Sequence, residues 1–82
     1  MKQFENQTNQ GWKILEIWQD IITKDYFVIV KRNDDYAWGS YYNLDKGFWG
    51  HGHYNYSNIA NARFDLLSMY SNTLDLIKKF DN

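Results

Sequence analysis

Apolar and polar positions follow two competing periods over residues 12–23, WKILEIWQDIIT. Ile14, Ile17, Trp18, Ile21 and Ile22 fall at helical spacing, whereas Trp12, Ile14 and Trp18 share one face of a strand. β-Branched and aromatic side chains dominate the segment and pack well on a pleated surface, which favours the strand. Residues 26–32, YFVIVKR, are too short for a helix and apolar at successive positions, the pattern of a central strand buried on both faces. NDD at 33–35 predicts a turn, YAWGSYYN at 36–43 a third strand, and LDKG at 44–47 a tight hairpin in which Gly47 takes a positive φ. A fourth strand follows over residues 48–54.

Beyond it the period changes. Ser57 or Asn58 can cap a helix whose apolar stripe is Ile59, Ala62, Leu66 and Tyr70, with Leu67 beside it. SNT at 71–73 interrupts the stripe. Asn72 and Asp75 resemble a capping box with Asp in place of Glu, so TLDLIKKF at 73–80 is expected as a second short helix or a bent continuation. Its lysines then stand favourably near a helix end. The predicted fold is α+β: an antiparallel sheet of about four strands, a meander, packed on one face by one or two C-terminal helices. One helical layer covers one sheet face, and the other is left polar or free for binding.

The 82 residues form one domain, 1–82, with the polar stretch 1–10 as a frayed lead-in. Absence of cysteine excludes disulfides and thiolate metal sites and suits a reducing compartment. With no apolar leader in MKQFENQTNQ and no run long enough to span a bilayer, a soluble cytoplasmic protein without membrane contact is expected. Nine basic and ten acidic side chains leave a net charge of -1, spread evenly along the chain. Duplex-binding proteins need an excess of cations to displace counterions, so nucleic acid is disfavoured as a direct ligand. The unusual quantity is the aromatic share, 20%.

Alternation in the fourth strand sends Phe48, Gly50, Gly52 and Tyr54 to one face and Trp49, His51 and His53 to the other. The glycines are expected beneath the helix, against Ala60 and Ala62, leaving Trp49 and the histidines facing away from it. His51 and His53 have the spacing at which one strand offers two imidazoles to a metal, and Asp34, Asp35 or Asp45 would have to supply a third ligand. No residue is spaced to do so, and we expect neither metal nor cofactor. No phosphate loop, nucleophile elbow or metalloprotease motif is present, so an enzyme is not expected. Of the aromatic set Tyr36, Trp38, Tyr41, Tyr42, Trp49 and Tyr54, about half serve the core. Trp49, His51, His53 and Tyr41, with Lys31 and Arg32 as a cationic rim, are the residues expected to meet a partner.

In size, simplicity and its Asn- and aromatic-rich composition the chain resembles small phage and plasmid accessory proteins of the anti-CRISPR, defence-inhibitor type. The resemblance matches no motif, so no functional positions are carried over. It implies a stoichiometric protein inhibitor of a host CRISPR nuclease or similar complex, acting in the host cytoplasm. Balanced charge favours docking on a protein surface over filling a cationic nucleic-acid channel. The expected function is thus non-enzymatic protein binding by a monomer or homodimer. The alternative is a single-stranded nucleic-acid binder that stacks bases on the aromatic sheet face.

Overall fold

The computed structural model describes residues 11–69 and 75–81. The chain folds into five strands and one helix: β1 (Lys13–Asp20), β2 (Tyr26–Arg32), β3 (Asp35–Ser40), β4 (His51–Tyr56), α1 (Ile59–Met69) and β5 (Leu76–Asp81). The strands form one antiparallel sheet in the order β4-β3-β2-β1-β5. The α+β class holds, with one strand more than expected, and the strand expected over residues 12–23 forms as Lys13–Asp20, with residues 21–23 turning out of it. Residues 1–10, Tyr70 and the predicted Asn72 cap lie outside the described residues.

The expected second helix is a strand. Local propensity favours helix over LDLIKKF, but β1 has a second edge whose backbone groups need partners, and β5 supplies them from Glu16↔Asp81 to Asp20↔Leu76. Tertiary pairing outweighs a propensity worth a few tenths of a kcal/mol per residue. The third strand also ends early, at Ser40, because Tyr41 takes φ 55° and turns the chain out of the ladder. Residues 41–50 become a folded loop, closed by an isolated Asn43↔Phe48 bridge. Within it Asn43 Oδ1 accepts from the Asp45 and Lys46 amides, both at 2.9 Å, and Gly47 takes φ 73° as its place in LDKG required.

Both faces of the sheet are apolar. Every residue of β2 from Phe27 to Val30 is buried. On the helix side Phe27, Ile29 and Trp38 pack with Ala62, Leu66 and Leu76, and Trp18, Tyr36, Tyr56, Ile59 and Leu67 border them. On the opposite side Trp12, Ile14, Ile17, Val28, Val30, Ala37 and Tyr42 pack together, bordered by Tyr26, Leu44, Trp49 and Phe80. Asn58 caps α1, its Oδ1 accepting the Asn61 amide at 2.8 Å.

Three β-bulges decide which residue faces which side. Ile14 pairs with Val30 and Glu16 with Ile29, so Leu15 is an extra residue in β1. Consequently Ile14 and Ile17 lie on the open side while Glu16 and Trp18 lie beneath the helix layer, and Trp12 and Trp18 do not share a face as the uninterrupted alternation suggested. Lys79 is the extra residue in β5, between the Ile17↔Phe80 and Trp18↔Lys78 pairs. In β4 two residues, Tyr54 and Asn55, oppose Ala37, and Asn55 takes φ 72°, a left-handed value that asparagine tolerates better than most side chains.

Leu66 is fully buried where the helix meets the sheet. Leu66→Ala should cost about 2–5 kcal/mol by lost transfer energy plus a cavity, read as the urea midpoint of tryptophan fluorescence. A loss below roughly 1 kcal/mol would mean that the helix does not seal this face.

Candidate functional site

The face of the sheet without a helix is closed by aromatic rings from the chain's own loop and strands. Trp49 leaves the 41–50 loop and lies over Gly39, so closely that a Cβ there would enter the indole ring. Tyr54 leans back along β4 over Gly52, directly beside it, with equally little room for a side chain. The glycines are needed because two large rings rest on bare backbone. Trp49 Nε1–H donates to the Tyr54 hydroxyl at 3.0 Å, tying loop to strand. Trp12 completes the group, 5.9 Å from Trp49 edge to face and 5.9 Å from Tyr54.

Arg32 places its guanidinium 4.2 Å from the Trp12 ring centre, a cation–π contact on the same face. Between these groups lies a cleft of about 300 Å³ lined by Trp12, Arg32, Asp35, Tyr54 and Asn55. The Asn55 bulge shapes its wall. Tyr54 stays 47% exposed and Trp49 half-buried, so the cluster keeps part of its ring surface open to solvent; Tyr41 and Phe48, 58% and 44% exposed, stand on the 41–50 loop. Tyr42, by contrast, is buried, its amide bonded to the Tyr26 carbonyl at 2.8 Å, and burial raises its phenol pKa.

The histidines point the other way from the expectation. The glycines at 39 and 52 face the open side, so His51 and His53, alternating with Gly52, face the helix side. The helix avoids the glycines altogether: Ala60 is exposed, and Ala62 packs with Trp38 and the β2 side chains. His53 is stacked on Trp38, ring centres 4.2 Å apart and planes within 12°. His51 is exposed and meets the Tyr41 ring edge at 5.8 Å. Among the described residues no three His, Asp or Glu side chains gather as a metal site. Lys31 also lies on the helix side, 5.2 Å over the Tyr36 ring. Of the six residues singled out from the sequence, Trp49 and Arg32 share the open face, Lys31, His51 and His53 belong to the other side, and Tyr41, on the loop, meets His51. Trp12 and Tyr54 are the residues that reasoning missed as site members. Their signal was the pair of glycines, which marked backbone that something large had to cover.

Beneath the helix two carboxylates organise polar networks. Asp65 accepts from Trp38 Nε1–H at 2.9 Å and, on the same oxygen, from the Tyr56 hydroxyl. These bonds, the tyrosine's first, and the nearby His53 hold its pKa below the ordinary 3.8. Glu16 is buried; burial alone would raise its pKa, but Arg63, which grips both its oxygens, Trp18 and the Lys78 charge together bring it below 4.5. Every helix charge is used this way: Arg63 and Asp65 both turn toward the sheet.

Compared with protein-family models, curated proteins and solved structures, the chain matches none.

Two outcomes follow from this geometry. Gly39→Ala must push Trp49 off its seat, costing about 1–3 kcal/mol and exposing indole to acrylamide quenching. Unchanged quenching would show that Trp49 does not rest there. Because both carboxylates titrate below their ordinary values in the folded state, the unfolded chain binds protons first as pH falls, so their stabilisation is complete above about pH 5 and is lost through and below about pH 4. Glu16→Gln should flatten that acid limb in denaturation curves; identical limbs would remove Glu16 from the account.

Proposed function

We propose that this chain is a non-enzymatic protein-binding domain whose contact surface is the helix-free face around Trp49 and Tyr54. The observation that supports it is the aromatic cluster of Trp12, Trp49 and Tyr54, with the Arg32 guanidinium set over Trp12 and Tyr54 47% exposed. Trp, Tyr and Arg are the side chains that most often anchor protein interfaces, since they bury large area with few rotatable bonds and keep a polar tip. The rings here are held by one another and by the Trp49–Tyr54 hydrogen bond, so little freedom is lost on docking.

The charge balance supports a protein partner over a nucleic acid, because stacking without a cationic groove leaves the phosphates uncompensated. The use that size and composition suggest is stoichiometric inhibition of a host defence nuclease, a CRISPR effector being the first candidate. In that role the patch would occupy a protein surface of the effector and block target engagement or a conformational step.

Arg32 and Tyr54 are the variants of choice, being exposed and lining the cleft. Arg32→Ala and Tyr54→Ala should keep the native circular dichroism and weaken binding to a partner captured from bacterial extract by about 1–2 kcal/mol each, or roughly 5- to 30-fold. Purified effector titrated with the protein should lose cleavage at one equivalent. Wild-type affinity in both variants would remove the patch as the contact. Salt-dependent quenching of the tryptophans by oligonucleotides, with no protein partner recovered, would replace this reading by the nucleic-acid one.

A further inference from the structure

The two edges of the sheet differ in kind. β5 bears Lys78, Lys79 and Asp81 and is kinked by a bulge, the devices by which edge strands are kept from pairing with other chains. β4, HGHYNY, carries no Lys, Arg, Asp or Glu, and among the described residues no strand lies on its outer side. Its bulge comes at Tyr54 and Asn55, which leaves His51 to His53 as the regularly paired segment ahead of it.

We infer that β4 is where two copies of this chain meet, by antiparallel pairing of their free edges about a two-fold axis through Gly52. Such pairing sets His51 opposite His53 of the second copy, Gly52 opposite its equivalent, and Gly50 opposite Tyr54. The sequence suits it on both faces. On the open side each Tyr54 ring lies over its own Gly52, so the two rings come side by side at about the 4.8 Å strand spacing, within the range of offset stacking. A larger residue at 52 would displace the ring from this position. On the helix side His51 and His53 face their counterparts, and with a net charge of -1 per chain two copies repel little.

A two-fold axis normal to the sheet keeps both helices on one side and both aromatic patches on the other, so the ten-stranded dimer presents one surface of doubled width. So short an edge buries less than the roughly 1,200 Å² of a standard interface, so the dimer is weak, with a dissociation constant on the order of tens of micromolar or above. The inference does not depend on what the aromatic patch binds.

Sedimentation of the full chain from roughly 5 to 500 µM should show the mass rising from 9.9 kDa toward about twice that value. Over the same range hydrogen exchange should slow at the amides of residues 51–54 and stay unchanged in β5. His51→Lys, at an exposed position, puts a charge on the edge and should hold the chain monomeric at 500 µM with unaltered circular dichroism. A wild-type monomer at all concentrations overturns the inference. So does a dimer that survives His51→Lys, or one protected at β5 or along the outer helix face around Phe64.

Discussion

Strand β2 is buried on both sides, and everything else follows from having to cover it. Phe27, Val28, Ile29 and Val30 alternate between the two faces with at most 4% of any of them exposed. An eleven-residue helix can seal one face of a small sheet. The second face must be closed with what remains, which is aromatic side chains on loops and strand ends. At 150–250 Å² buried per ring, roughly, three or four rings do the work of a second helix at a fraction of its length. The solution leaves a seam, because rings of irregular outline do not tile a surface, and that seam is the cleft between Trp12, Arg32, Asp35, Tyr54 and Asn55.

The glycines take their meaning from the same constraint. Gly39 and Gly52 are neighbours across the β3–β4 ladder, and together they make a shallow bare strip against which Trp49 and Tyr54 rest, tilted 42° to one another. A strand interior loses stability with glycine, about 0.5–1 kcal/mol each, and the aromatic contact offsets that loss. The same arrangement keeps the rings near the surface. The rings that close this face are therefore part of the core on that side, with Trp12 inside it and Trp49 packed against it.

Charge is handled on the opposite side. α1 turns its Arg and its Asp toward the sheet, where Glu16 with Arg63 and Asp65 with Trp38 and Tyr56 satisfy one another. Among the described residues no buried side-chain nitrogen or oxygen lacks a hydrogen-bond partner. A buried ion pair contributes little net stability, yet each network fixes an orientation: Arg63 reaches across to Glu16 on β1, and Asp65 ties the helix to β3 and β4 over which it packs. In a chain without disulfides these polar contacts specify how the helix lies, while the apolar contacts hold it there.

The sequence by itself determined the class of fold, the strand over residues 26–32, the Gly47 turn, the helix start near Asn58 and the aromatic character of the binding candidates. Those features are local: a period, a turn residue, a cap. It did not determine the faces. A single extra residue in a ladder reverses every side chain beyond it, and the bulges at Leu15, Lys79 and Asn55 leave no periodic mark because the inserted residues are ordinary. The histidines were assigned to the open face by assuming that glycines belong under the helix, whereas rings claimed the glycines and sent His53 onto Trp38. Likewise LIKKF reads locally as helix and becomes strand because β1 offered an edge. Pairing partners far apart in the chain, and the demand that both faces of β2 be covered, are properties of the assembled sheet and exist only once it forms.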